Sequence, residues 1–170
     1  TGPGGRQRIG PTGGAAYRTP LKLSTSPDVR PTSSPCAVRA VGAGLRALHD
    51  ALPVKACPFS WSVAERIVDA SRRGIHVPAA LADPPPIDRA VVCHGDACCP
   101  NFLLSDPGQV TAYVDLGSLG VADRWADIAV AAMSTEWDYG PGWERPLVEA
   151  YGVDFDEERM SFYQRLWDST

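Results

Sequence analysis

The sequence predicts an α+β domain that is mainly helical, with one short β-hairpin near its middle. Three observations predict it. Apolar residues recur at spacings of three and four from Val38 to Leu48, and again in several later segments. Two β-rich runs, Asn101–Ser105 and Gln109–Val114, flank the turn signal Asp106-Pro107-Gly108. Ahead of both, Gly and Pro crowd Thr1 to Gly14, and Pro27, Pro31 and Pro35 interrupt any later element.

Residues 1–36 therefore read as poorly structured. From Ala37, Val38, Val41, Leu45 and Leu48 define one helical face through Leu52, which Pro53 ends. Gly42 and Gly44 weaken that helix intrinsically, so packing must hold it. His49 reads as a packing or surface histidine at the helix end, since nothing acidic or nucleophilic is patterned around it. A second helix follows Trp61, with Ser62 and Glu65 as a capping box and Gly74 as its C-terminal stop. Its expected core face is Val63, Ile67, Val68 and Ala70. Pro78, Pro84, Pro85 and Pro86 make residues 75–89 a loop with at most a helical turn.

A short buried strand, Ile87 to Cys93, leads into His94-Gly95-Asp96. After the hairpin, Ala122 to Met133 reads as a long apolar helix with Ile128, Ala131 and Ala132 in the core. Asp127 is a carboxylate embedded in that run, and a buried carboxylate needs donors. Trp143 to Tyr151 forms the next helix, with Leu147, Val148 and Tyr151 on one face, and Gly152 breaks it. Asp156 to Trp167 is the last, anchored by Phe162, Tyr163 and Leu166.

The length of 170 residues allows one domain with a real core. No apolar run approaches the roughly 20 residues of a membrane helix, and the start lacks the layout of a secretory signal. Five cysteines without a paired framework read as reduced thiols in a cytoplasmic protein. Cys93, His94, Cys98 and Cys99 lack the spacing of a zinc site. Residues 1–40 carry six basic side chains against one acid, which leaves ten basic and nineteen acidic groups in the rest. So acidic a body argues against nucleic acid as partner and favours a polycationic small molecule.

The chemistry concentrates in Asp96, Asn101 and Asp115. Asp96 is the type of group that takes a proton from a substrate hydroxyl. Asn101 and Asp115 are oxygen ligands that suit a hard cation such as Mg²⁺. An antiparallel return of the hairpin's length brings Asp115 back beside the Asp96–Asn101 loop.

His94-Gly95-Asp96, Asn101 and the segment Val114-Asp115-Leu116-Gly117 through Gly120-Val121-Ala122-Asp123-Arg124-Trp125-Ala126-Asp127-Ile128-Ala129 resemble the aminoglycoside phosphotransferases, particularly the 3′-type enzymes and their streptomycin-modifying relatives. The resemblance implies a protein-kinase-like C-lobe at 37–170 and, at 1–36, a remnant of the nucleotide-binding N-lobe. It implies ATP and Mg²⁺ as cofactors and phosphoryl transfer to a hydroxyl of an aminoglycoside antibiotic. Asp96 would be the catalytic base, and Asn101 and Asp115 the metal ligands. His94 and Asp127 would hold the shape of the catalytic loop. Gly13 to Arg18 resembles the first nucleotide-loop hairpin, and Lys22 stands where a nucleotide-contacting lysine is expected. Asp168 occupies the end that binds the drug's ammonium groups. Two other readings stand beside this one: a non-catalytic C-lobe remnant that binds drug but not ATP, and a kinase of another small alcohol.

Overall fold

Helix α1 (Ser34–Ala51) opens the described part of the chain. The computed structural model describes residues 34–105 and 108–170, so Lys22 and the Gly13–Arg18 segment lie outside the described residues. The helix buries Val38, Val41 and Leu45 completely and Leu48 almost so, which is the face that their spacing predicts. Its glycines are contact points. A Cβ on Gly42 would sit 2.4 Å from the Leu147 carbonyl oxygen and 3.0 Å from Cβ of Ala150, both on α4 (Glu144–Tyr151). A Cβ on Gly44 would meet Cγ2 of Val110 at 2.4 Å. Gly42→Ala therefore gains about 1 kcal/mol of helix propensity but forces two backbones apart, for a net loss of about 1–2 kcal/mol in chemical denaturation.

Helix α2 (Val63–Arg72) begins as expected, with the Ser62 hydroxyl accepting from the Glu65 amide at 3.3 Å. Arg73 is its C-cap, and Gly74 follows with φ +78°. Its face differs from the sequence expectation. Ala70 is fully buried, Val63 and Ile67 are half-buried, and Val68 is exposed. Arg66 is buried on this helix, its guanidinium set over two indole rings, 4.8 Å from Trp61 and 5.4 Å from Trp167. Residues 75–89 hold one helical turn, Ala79–Leu81, as expected.

Strand β1 (Ala90–Cys93) starts three residues later than expected, and Ile87 is exposed. Its partner was not foreseen. Gly120–Asp123 forms a strand, so the helix expected from Ala122 starts three residues later, at Trp125, and the strand pairs antiparallel with β1 through Val91↔Ala122 and Val92↔Val121. The hairpin consists of β2 (Phe102–Ser105) and β3 (Gln109–Tyr113), paired Phe102↔Tyr113 and Leu103↔Ala112 with a bulge at Thr111. Gly120–Asp123 is accordingly β4, and the described residues contain two two-stranded sheets instead of one hairpin.

Helix α3 (Trp125–Tyr139) is the central core helix, buried on nearly all sides from Trp125 to Ala132. The Asp123 carboxylate accepts from the Trp125 amide at 3.0 Å and the Asp88 amide at 2.7 Å, which turns the chain from β4 into α3. Helix α4 buries Leu147, Val148 and Tyr151 and stops at Gly152, whose φ is +89°. In α5 (Glu157–Asp168), Asp156 caps the first turn and Phe162, Tyr163 and Leu166 are buried. No described helix is long and apolar enough to cross a membrane.

Candidate active site

The loop between β1 and β2 is held from below by side chains of α3. Asp127 sits in the first turn of α3 at 1 % exposure. Its Oδ2 accepts from the His94 amide at 2.5 Å and its Oδ1 from the Gly95 amide at 3.0 Å. About two turns further along α3, the Ser134 hydroxyl accepts from the Cys99 amide at 2.8 Å. Gly95 has φ +81°, and a Cβ there would lie 2.0 Å from the Ser118 carbonyl oxygen. Only glycine fits that turn.

Within the loop, three residues lock one another. Asn101 closes a short 3₁₀ turn rather than starting the strand, and its Nδ2 donates to the Asp96 carbonyl at 2.8 Å. His94 is fully buried, with its Nδ1 accepting from the Asp96 amide at 3.3 Å. Its Nε2 therefore carries the proton and donates to the Val114 carbonyl at 3.0 Å. The Val114 amide in turn donates to the Asn101 carbonyl at 3.0 Å. These bonds bring the end of β3 to the loop, with Asp115 the next residue. Asp115 is exposed and adopts φ +60°, a left-handed conformation that costs a non-glycine residue about 1 kcal/mol.

Asp96 lines a cavity of about 270 Å³, and its Oδ1 is buried with no hydrogen-bond partner. Trp61, Arg66, Asp69, Arg73, Ser118, Trp167 and Thr170 complete much of the wall. Two arginines thus face two carboxylates, whereas the acidic body charge suggested a negative cleft. Arg73 is paired with Asp69 at 3.0 Å, in an exposed bridge of little energetic weight. Burial lowers the Arg66 pKa to about 10, which leaves it charged at neutral pH. Asp168 is exposed and does not reach this wall. Trp167 and Thr170 share one face of the helix end, and a residue next to Trp167 points about 100° away. Asp69 reaches the wall beside Asp96, an acid that no motif in the sequence singles out.

All five cysteines are free. Burial pushes the Cys93 thiol well up and that of Cys99 to about 12, and burial and then the Asp96 carboxylate raise Cys98. Iodoacetamide at pH 8 should thus alkylate Cys36 and Cys57 and spare these three, as read by peptide mass spectrometry. A thiol or phenol whose folded pKa is raised supports the native state fully below its unfolded pKa and loses that support as pH rises. Tyr151 is pushed to about 12 by burial, in the same direction. Stability should therefore fall progressively above about pH 9.

The sequence profile of the phosphotransferase enzyme family matches residues 22–163. The chain belongs to that family. Among its phosphotransferase relatives, the aminoglycoside 3′-phosphotransferase of Streptomyces fradiae is 40% identical over 156 residues, covering 76% of this chain and 58% of that protein. The streptomycin 3″-kinase of Streptomyces griseus is 33% identical over 159 residues, covering 75% and 58%. Among solved structures, a type VIII aminoglycoside-3′-phosphotransferase matches with TM-score 0.67 and 28% identity over 82% of this chain and 63% of that one. A Streptomyces rimosus aminoglycoside phosphotransferase, in complex with ADP and streptomycin, matches with TM-score 0.60 and 28% identity over 79% and 63%. This phosphotransferase-family chain thus spans less than two thirds of the length of these relatives. The described part has the kinase-like helical lobe with its small antiparallel sheets.

Proposed function

We propose that this chain carries the catalytic loop of an ATP-dependent phosphotransferase that moves the γ-phosphoryl group to a hydroxyl of an aminoglycoside. The observation that carries the reading is the Asp96 Oδ1. It is a carboxylate oxygen without a protein partner, on the wall of a cavity, in a loop whose backbone is bonded from several sides. A substrate hydroxyl placed in the cavity would donate to that oxygen, and Asp96 would accept its proton as the phosphoryl group leaves.

The donor set suits a magnesium ion. Asn101 uses its Nδ2 on the Asp96 carbonyl, so its amide oxygen is the atom left to bind a cation. Asp115 offers an exposed carboxylate from the adjoining turn. Magnesium held by Asn101 and Asp115 would neutralise charge on the phosphate oxygens. The protein's own part is positioning: the loop holds Asp96 still while the cavity orients the hydroxyl. Lys22 is the proposed nucleotide ligand. For the drug's ammonium groups, Asp69 on the cavity wall and Asp168 at the helix end are the proposed contacts. We assign the protein to the cytoplasm on its free thiols.

The two wall arginines favour one second reading, a kinase of a less cationic alcohol. Thermal unfolding and ADP release separate the possibilities. Ligand at one hundred times its Kd stabilises by about 2.7 kcal/mol. For a domain of this size that raises the melting temperature by roughly 5–10 °C. Mg-ATP and kanamycin, neomycin or streptomycin should each raise it, and together they should release ADP. A shift with drug alone, and no ADP release, would favour a non-catalytic binding remnant. ADP release with choline or a neutral sugar, but no antibiotic, would favour the second reading.

A further inference from the structure

Behind the catalytic loop lies a buried polar chain that the proposed reaction does not call for. His49, on the last turn of α1, is 3 % exposed. Its Nε2 is 3.0 Å from Oδ2 of Asp127 and its Nδ1 is 2.8 Å from the Tyr151 hydroxyl on α4. An ionised carboxylate can only accept, so Nε2 is the donor, and in the neutral imidazole Nδ1 accepts from the tyrosine. The order of donation is Tyr151 to His49 to Asp127. The same Asp127 oxygen receives the His94 amide, and its other oxygen receives the Gly95 amide.

Cys93 also lies close. One ligand atom each from His49, Cys93 and Asp127 fall within 4.8 Å of one another. A metal site is a poor fit to them. The Cys93 sulfur donates to the Asp123 carbonyl at 3.4 Å, and the His49 and Asp127 atoms are already engaged with each other. The triad therefore reads as a hydrogen-bond relay.

We infer that His49 is a positioning residue for the phosphoryl-transfer reaction: with Tyr151 as its anchor, it orients the Asp127 carboxylate, which sets the backbone of His94 and Gly95 and hence the aim of Asp96. The inference rests on the reading of Asp96 as the catalytic base. The imidazole is the third donor on that carboxylate and shares Oδ2 with the His94 amide. Tyr151 lies 102 residues from His49, so α1 and α4 must be docked before the loop is aimed. The close contact of Gly42 with Leu147 sets that docking.

The test uses the full chain with Mg-ATP and a drug substrate, and three variants. His49→Leu keeps the volume and removes both bonds. His49→Gln keeps a donor toward Asp127. Tyr151→Phe removes only the hydroxyl. His49→Leu should lower kcat by about 10²-fold with KM for drug and ATP changed less than about threefold, because misaim costs turnover rather than binding. His49→Gln should recover at least about tenfold of that loss, and Tyr151→Phe should fall between. Hydrogen exchange of the peptide carrying the His94 and Gly95 amides should accelerate in the same order. A folded His49→Leu variant with near-normal kcat and unchanged exchange there would overturn the inference. If the unaltered chain transfers no phosphate, the proposed function fails. The exchange order still decides whether His49 sets the loop.

Discussion

Replacing Asp96 by alanine should lower turnover by about 10²–10⁴-fold, the range expected for loss of a positioned general base. The same change should leave the unfolding midpoint unchanged or slightly raised. The bonds that shape the loop at this position are made by the main chain. The Asp96 amide donates to His94, and its carbonyl accepts from Asn101. The side chain contributes a buried Oδ1 with no partner, and removing an unpaired buried polar atom relieves a desolvation cost of about 1–3 kcal/mol. Activity and stability are thus expected to part company here. Steady-state ADP release and thermal unfolding on one preparation measure both. A variant that turns over near normally would remove Asp96 from the mechanism. One that loses activity by unfolding would show that the carboxylate has a structural partner.

The opposite pattern is expected at Asp127. Its carboxylate receives two backbone amides and the His49 imidazole at 1 % exposure. Asp127→Ala leaves three buried donors without acceptors. At about 1–3 kcal/mol for each such group, with partial relaxation, the loss should be about 3–5 kcal/mol. For a domain of this size that is a fall in melting temperature of roughly 8–15 °C. Asp127→Asn keeps one acceptor oxygen but points an amide donor at another donor, so its loss should be smaller yet clear. Chemical denaturation with both variants checks the order. Equal stabilities for Asp127→Ala and the unaltered chain would mean that the loop is held by other contacts.

These two carboxylates also differ in how they were legible. Asp127 could be read as buried because its neighbours in sequence are apolar, and a helix carries such a pattern within a few turns. His49 sits four residues after Leu45, so helical spacing already put it on the core face. What the spacing could not supply was its partners on α3 and α4. Strand β4 escaped notice for a related reason. Gly120-Val121-Ala122-Asp123 has weak β propensity and runs straight into an apolar helix. Its pairing with β1 comes from residues about thirty positions away. Arg66 reversed an expectation because Trp61, at the entry to its own helix, and Trp167, about a hundred positions away, cover its guanidinium, while Val68 two residues on faces the other way and is exposed.

Taken alone, the sequence determined the core faces of α1, α4 and α5, the hairpin, the order of Asp96, Asn101 and Asp115, and the embedding of Asp127. Each depends on interactions between residues a few positions apart, which periodicity and turn chemistry record. Tertiary structure alone decided that Asp69 and two arginines wall the cavity and that Asp168 is exposed outside its lining. It likewise decided that Tyr151 and His49 meet behind the loop. Those pairings join segments many turns apart along the chain. They exist only once apolar burial has pressed α1, α3, α4 and α5 together.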